Sequence, residues 1–281
     1  MDVYSGISVV EMSGSDWQEW YEDGKIKIEK VGDKKDFFPN MGVVLKGKDF
    51  KEHGLVKGSY IKAFEYPLAF GVKPKNTEQG LAMGMLLDDD IKLKIITGKE
   101  GTGKNYVTAA CVLEMMLHSK KYDRLILTRT TDEVGKTLGL FPGTSDEKFA
   151  NHLASFRYTL KAIMGEDSSY IDLMLEKKQI EYVPIQLMRG ISFPERTLVW
   201  ADEIAGLSPY ELRMLGTRLG EDCALLLTGS FEQIDRRSKP EDTGLAKLVN
   251  GSKIKNSAIS SHVELIKNER SALSKLISDA L

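Results

Sequence analysis

Gly98-Lys99-Glu100-Gly101-Thr102-Gly103-Lys104-Asn105 is the stretch on which the reading of this chain turns. A β-prone run at 92–97 precedes it, and a run rich in Ala, Val, Leu and Met follows at 105–117. Glycine, four residues, then Gly-Lys between a strand and a helix is the pattern of a phosphate-binding loop. Its glycines let the backbone curl until successive N–H groups face one point. The helix behind adds the positive end of its dipole, and Lys104 adds a cation. The alternative, a glycine-rich surface turn, does not account for the flanking strand and helix. The eighth position of the pattern normally carries a Ser or Thr hydroxyl that ligates Mg2+, and here it is Asn105. An amide oxygen is a bulkier, differently placed ligand, so slow turnover is expected.

Downstream of this loop, short apolar runs alternate with helical patterns. Strands are predicted at 124–129, 180–184, 197–201, 224–228 and 262–266, and helices over about 146–178 and at 271–281. Ser208-Pro209 with Glu211 is a helix start. Strands apolar on both sides, alternating with helices, imply a parallel sheet covered on both faces. Upstream, 7–10, 25–28 and 42–45 are β-prone and separated by Gly24, Gly32-Asp33, Pro39-Asn40 and Gly47, with one short helix over 16–22. The expectation is an α/β chain: a small β-rich module over 1–65 and a P-loop core of parallel sheet and helices over 66–281.

Two more segments carry chemistry. Thr197-Leu198-Val199-Trp200-Ala201-Asp202-Glu203 is an apolar strand ending in two acids. Asp202 there can hold Mg2+, and Glu203 can orient water or take its proton. Read alone, it could equally be a strand closing in a solvated acidic turn. Leu225-Leu226-Leu227-Thr228-Gly229-Ser230-Phe231-Glu232-Gln233 ends a third apolar strand in a polar turn, where Gln233 could sense a terminal phosphate or simply occupy a loop.

Composition narrows the setting. Of 281 residues, 42% are hydrophobic and 28% charged, with a net charge of −2, so no global basic field draws the chain to nucleic acid. No apolar run reaches the roughly 18–20 residues that span a bilayer, and no secretory leader is read at the N-terminus. Cys111 and Cys223 lie in apolar runs and read as buried free thiols, and four scattered histidines offer no metal-ligand spacing. A cytoplasmic location is expected.

Taken together, these segments resemble the PhoH-like family of ATPases, which share the nucleotide core of superfamily 1 helicases. Further matching pieces are 70–79, Leu127-Thr128-Arg129, Val134-Gly135, 138–143, Met188-Arg189-Gly190, 217–220 and Glu269-Arg270-Ser271; Tyr21-Glu22-Asp23-Gly24 and Phe38-Pro39-Asn40 are similar to the β-rich linker of two-domain members. The resemblance implies a RecA-like fold, ATP and Mg2+ as ligands, Gln79 as adenine reader and single-stranded RNA as partner. It also implies a homo-oligomeric ring, with Arg270 or Arg218 as a charge-stabilising arginine. Thr128, Arg129 and Lys136 fall at family positions for RNA contact. The nuclease centre of two-domain members is not expected here. Departures gather at the site: Asn105, Ile204-Ala205 where Ala-Gln is usual, and Ser230 where Asp is usual. They leave two functional expectations, an RNA-acting ATPase and a nucleotide-gated binding protein with little hydrolysis. A small-molecule kinase is a third reading, disfavoured by the Asp-Glu strand and the lack of an arginine-rich lid.

Overall fold

The computed structural model describes residues 4–31, 36–129, 145–233 and 242–269. Its first sheet comprises β1 (Ile7–Glu11), β2 (Lys25–Lys27), β3 (Gly42–Lys46), β4 (Lys51–Lys57) and β5 (Tyr60–Ala63), in the order β1-β3-β4-β5-β2. Helix α1 (Gly14–Asp23) sends Trp20 into the apolar interior of this sheet, beside Ile26, Val43, Leu45, Val56 and Ile61. The β4–β5 hairpin was not anticipated from sequence, because Lys51, His53, Gly54 and Lys57 mask its alternation. Gly58, at φ +61°, makes its two-residue turn.

The remaining elements are α2 (Thr77–Leu87), β6 (Leu93–Gly98), α3 (Lys104–Leu113), β7 (Arg124–Arg129), α4 (Ser145–Met164), α5 (Ser169–Glu176), β8 (Ile180–Tyr182), β9 (Thr197–Asp202), α6 (Pro209–Gly216), β10 (Ala224–Gly229), α7 (Gly244–Asn250), α8 (Ser252–Lys255) and β11 (Ser260–Leu265). Six of these form the second sheet, β11-β6-β10-β9-β7-β8, and every pairing in it is parallel. Alternate side chains of its central strands enter two separate apolar cores: Leu125, Leu127, Leu198 and Trp200 on one face, Ile126, Val199, Leu225 and Leu227 on the other. This is the expected α/β class, a RecA-like sheet covered on both sides.

Helix α2 was not read from sequence, because Gly80 and Gly84 lower its helix propensity. Ring packing explains both glycines: a Cβ at Gly80 would lie 2.3 Å from Tyr66 and one at Gly84 would lie 2.4 Å from Phe64. The strand expected over 180–184 ends at Tyr182, and the helix after the loop runs through α3 into a wider turn ending at His118. The capping box of Ser208 and Glu211 forms as expected. Both cysteines are buried free thiols. The closing helix expected over 271–281 lies outside the described residues. No helix among the described residues is long and apolar enough to cross a membrane.

The two sheets are joined by specific contacts. Asn40 donates to the carbonyls of Ala258 (2.7 Å) and Ser260 (2.9 Å), and Lys57 donates to Asn40 (2.7 Å) and pairs with Asp88.

Candidate functional site

In an all-parallel sheet the crevice beyond the strands' carboxyl ends collects the functional side chains. Here β6 delivers the glycine loop, β9 the two acids and β10 a polar turn to one such edge. Gly98 leaves β6 at φ +148°, and a Cβ there would stand 2.3 Å from the carbonyl oxygen of Leu265. Gly103 enters α3 at φ +85°, and its Cβ would meet Gln79 Nε2 at 2.8 Å. Only glycine satisfies both positions. Thr102 ties the loop across itself by donating to the carbonyl of Lys99 at 2.9 Å. The Lys104 ammonium curls back onto the loop, donating to the carbonyls of Gly98 (2.6 Å) and Lys99 (2.8 Å). The Lys99 side chain instead points outward to Glu232.

A cleft of about 390 Å³ is lined by Glu100, Gly101, Lys104, Asn105, Asp202 and Glu203, among others. Lysine and acids therefore face one space, as a shared metal–triphosphate site requires. Asp202, 2% exposed, is held from both sides. Trp200 Nε1 donates to Thr228 Oγ1 (2.9 Å), and Thr228 Oγ1 donates to Asp202 Oδ1 (2.6 Å). Asn105 Nδ2 donates to Asp202 Oδ2 at 2.8 Å, and Arg129 reaches the same oxygen at 3.4 Å while pairing with Glu203. Glu203 itself adopts φ +53° and ψ +41°, the left-handed region that non-glycine residues seldom occupy.

Asn105 Oδ1 is buried with no hydrogen-bond partner. An orphaned amide oxygen beside a carboxylate is a pair of hard oxygen donors, and that set fits Mg2+, which keeps its remaining places for water and phosphate. No cluster of three or more His, Cys, Asp or Glu able to hold a metal occurs among the described residues.

A second pocket of about 190 Å³ adjoins the first and shares Gly101, Gly103 and Tyr106 with it. Gln79 lies in it, 3% exposed, its amide oriented from both ends: Nε2 donates to the carbonyl of Thr102 (2.9 Å) and Oε1 accepts from the N–H of Lys75 (2.9 Å). Each end keeps capacity for one more hydrogen bond. Val72, Val107 and the ring of Tyr106 supply apolar walls. Glu114 anchors the approach to this pocket by accepting from the N–H of Phe70 at 2.8 Å.

Some expectations need correction. Thr128 is buried on the sheet face opposite Arg129, so it is no outer nucleic-acid contact. Arg129, at the end of β7, pairs with the two acids and keeps its side chain 20% exposed. Ser230 is buried and organises its turn by accepting from the N–H of Glu232 at 3.3 Å. The Gln233 side chain, Lys136, Val134-Gly135, Arg270 and all of 138–143 lie outside the described residues. Tyr106, Thr159 and the Trp200–Thr228 relay were missed. Tyr106 was findable as an aromatic one turn into the loop's helix, whereas the others required the strand order.

A glycine loop between β6 and α3, its lysine facing acids at the tip of β9, defines a P-loop protein of the nucleotide-binding, ATPase-like class. The chain belongs to the PhoH-like proteins, whose family profile matches residues 71–281. It is 30% identical to Protein PhoH2 of Bacillus subtilis, over 100% of this chain and 65% of that protein. It is 33% identical to Protein PhoH of Escherichia coli K12, over 51% of this chain and 40% of that one. The chain thus spans less than two-thirds of the length of either relative. Among solved structures, the Pif1 helicase of Candida albicans superposes at a TM-score of 0.39 with 17% identity, covering 74% of this chain and 43% of that one.

Proposed function

We propose that this chain binds ATP with Mg2+ and hydrolyses it slowly while acting on single-stranded RNA. The observation that carries the nucleotide part is one cleft lined together by Lys104, Asn105, Asp202 and Glu203. Loop N–H groups and Lys104 grip the β- and γ-phosphates, and Gln79 reads the adenine edge against the Tyr106 ring. Asp202 and Asn105 would hold Mg2+, which when bound supplies charge neutralisation on the phosphate oxygens. Glu203 orients the attacking water and accepts its proton. The water oxygen bonds to the γ-phosphorus as the bond to the bridging oxygen breaks, and ADP leaves with the electron pair. Gln233 and Arg270 are assigned to γ-phosphate sensing and charge stabilisation, the latter within the chain or across a ring of copies.

Residues 1–65 and 66–281 are proposed as the two domains, and the cytoplasm as the location. The RNA part rests on the family. Asn105, bonded to Asp202 through its nitrogen, favours low turnover and supports a second reading, a nucleotide-gated binding protein. The test is a titration of ATP binding and hydrolysis, with and without RNA, for the wild type, Lys104→Ala and Glu203→Gln. Binding is expected to vanish in the first variant and persist without turnover in the second. Stimulation by RNA supports the motor, and tight ATP binding with no stimulation supports the gated binder. Binding that survives Lys104→Ala overturns the site.

A further inference from the structure

We infer that Arg129 is a releasable latch on the catalytic carboxylate, and that a phosphodiester bound at the end of β7 is what draws it off. The inference rests on the reading of Asp202 and Glu203 given above. Cα pairing sets Arg129 directly beside Asp202 across β7 and β9, on the same face of the sheet. The Arg129 side chain is 20% exposed, and one guanidinium nitrogen reaches both Asp202 Oδ2 and Glu203 Oε1. Both acids needed for hydrolysis are therefore engaged by one cation. A divalent cation and a guanidinium compete for the same Asp202 oxygen, and a Glu203 oxygen held by Arg129 is not turned to a water.

The contact is also incomplete, which suits a latch better than a permanent brace. Arg129 Nε is buried without an acceptor, and the contact of its Nη1 with Ser155 on α4 is long, 3.4 Å. A group with donors left over gains by moving to a ligand that uses them, and a phosphodiester takes the guanidinium fork in a bidentate fashion. Arg129 is the last residue of β7, at the edge where the strands' carboxyl ends open to solvent. A backbone phosphate arriving there competes first for the Glu203 arm of the latch, whose carboxylate is 39% exposed; the Asp202 arm is buried but long, at 3.4 Å. Nucleic-acid binding and Glu203 release thus become one event.

The test compares wild type with Arg129→Ala and Arg129→Lys by three readouts: ATP turnover without RNA, turnover with polyuridylate, and Mn2+ affinity beside a non-hydrolysable ATP analogue, followed by electron paramagnetic resonance. The latch predicts that Arg129→Ala raises RNA-free turnover on the order of tenfold, abolishes further stimulation by polyuridylate, and tightens Mn2+ severalfold. Arg129→Lys, which keeps the charge but not the fork, falls between. RNA-free turnover that drops or stays unchanged in a folded Arg129→Ala protein overturns the latch, as does undiminished stimulation by RNA. If Arg129→Ala fails to fold, the lysine variant decides by the same readouts. If no protein turns over ATP although the analogue binds, the hydrolysis reading fails, and Mn2+ affinity still judges the latch: tighter supports it, unchanged overturns it.

Discussion

Thr228→Val tests the relay beneath the site. Thr228 is fully buried between two buried groups, accepting from Trp200 Nε1 at 2.9 Å and donating to Asp202 Oδ1 at 2.6 Å. Valine preserves the shape and deletes both bonds. The indole N–H is left unsatisfied, a penalty of about 1–3 kcal/mol, and a hydrogen bond to an ionised group worth about 1.5–3 kcal/mol is lost. The two share one hydroxyl and overlap, so the expected destabilisation is about 3 kcal/mol, or roughly 5 °C in melting temperature for a chain of this size. Thr228→Ser keeps the hydroxyl and sacrifices only a methyl, so it is expected to lose about 1 kcal/mol. Urea and thermal unfolding of the three proteins measure this directly. Mn2+ affinity supplies the functional side, because Asp202 loses its orienting donor and is expected to hold the cation several times more weakly. Equal stability of the valine and serine variants, within about 0.5 kcal/mol, refutes the relay.

Asn105→Thr replaces the amide with a hydroxyl and removes the donor from Asp202 Oδ2; ATP turnover is expected to rise severalfold, and an equal or lower rate counts against Asn105 as the brake. Gly103→Ala places a methyl 2.8 Å from Gln79 Nε2 at φ +85°, so ATP affinity is expected to fall at least about tenfold, on the order of 1.4 kcal/mol, with loss of preference for adenine over guanine; calorimetry with ATP and GTP reads both. His262 is buried, its Nε2 lies 2.8 Å from Thr97 Oγ1, and burial pushes its pKa down to about 3. The unfolded chain takes up a proton below the ordinary histidine value of about 6.5 while the folded one does not. Stability is therefore lost as pH falls from about 6.5 toward 3, by up to about 1.4 kcal/mol per unit. His262→Gln is expected to flatten that limb relative to wild type in urea titrations at pH 7 and pH 5, and parallel profiles would contradict the assignment.

The sequence alone determined the parts of this protein that depend on local chemistry. A phosphate cradle needs glycine where backbone must pass close to backbone, as at Gly98, and a lysine at a fixed offset, so its spelling is legible. Apolar strands ending in polar residues announce a parallel sheet for the same local reason. Family resemblance supplied Gln79, which no spacing argument reaches. Tertiary structure alone decided which strand tips are neighbours. That Arg129 stands beside Asp202, that Thr228 bridges Trp200 to the same acid, and that Thr128 faces the opposite core all follow from the order β10-β9-β7 and its register. No residue near any of these in the chain encodes that pairing. Strand order is settled by how helices and apolar faces share the two cores, a property of the whole packing, and it turns an arginine that reads as a surface contact into part of the site.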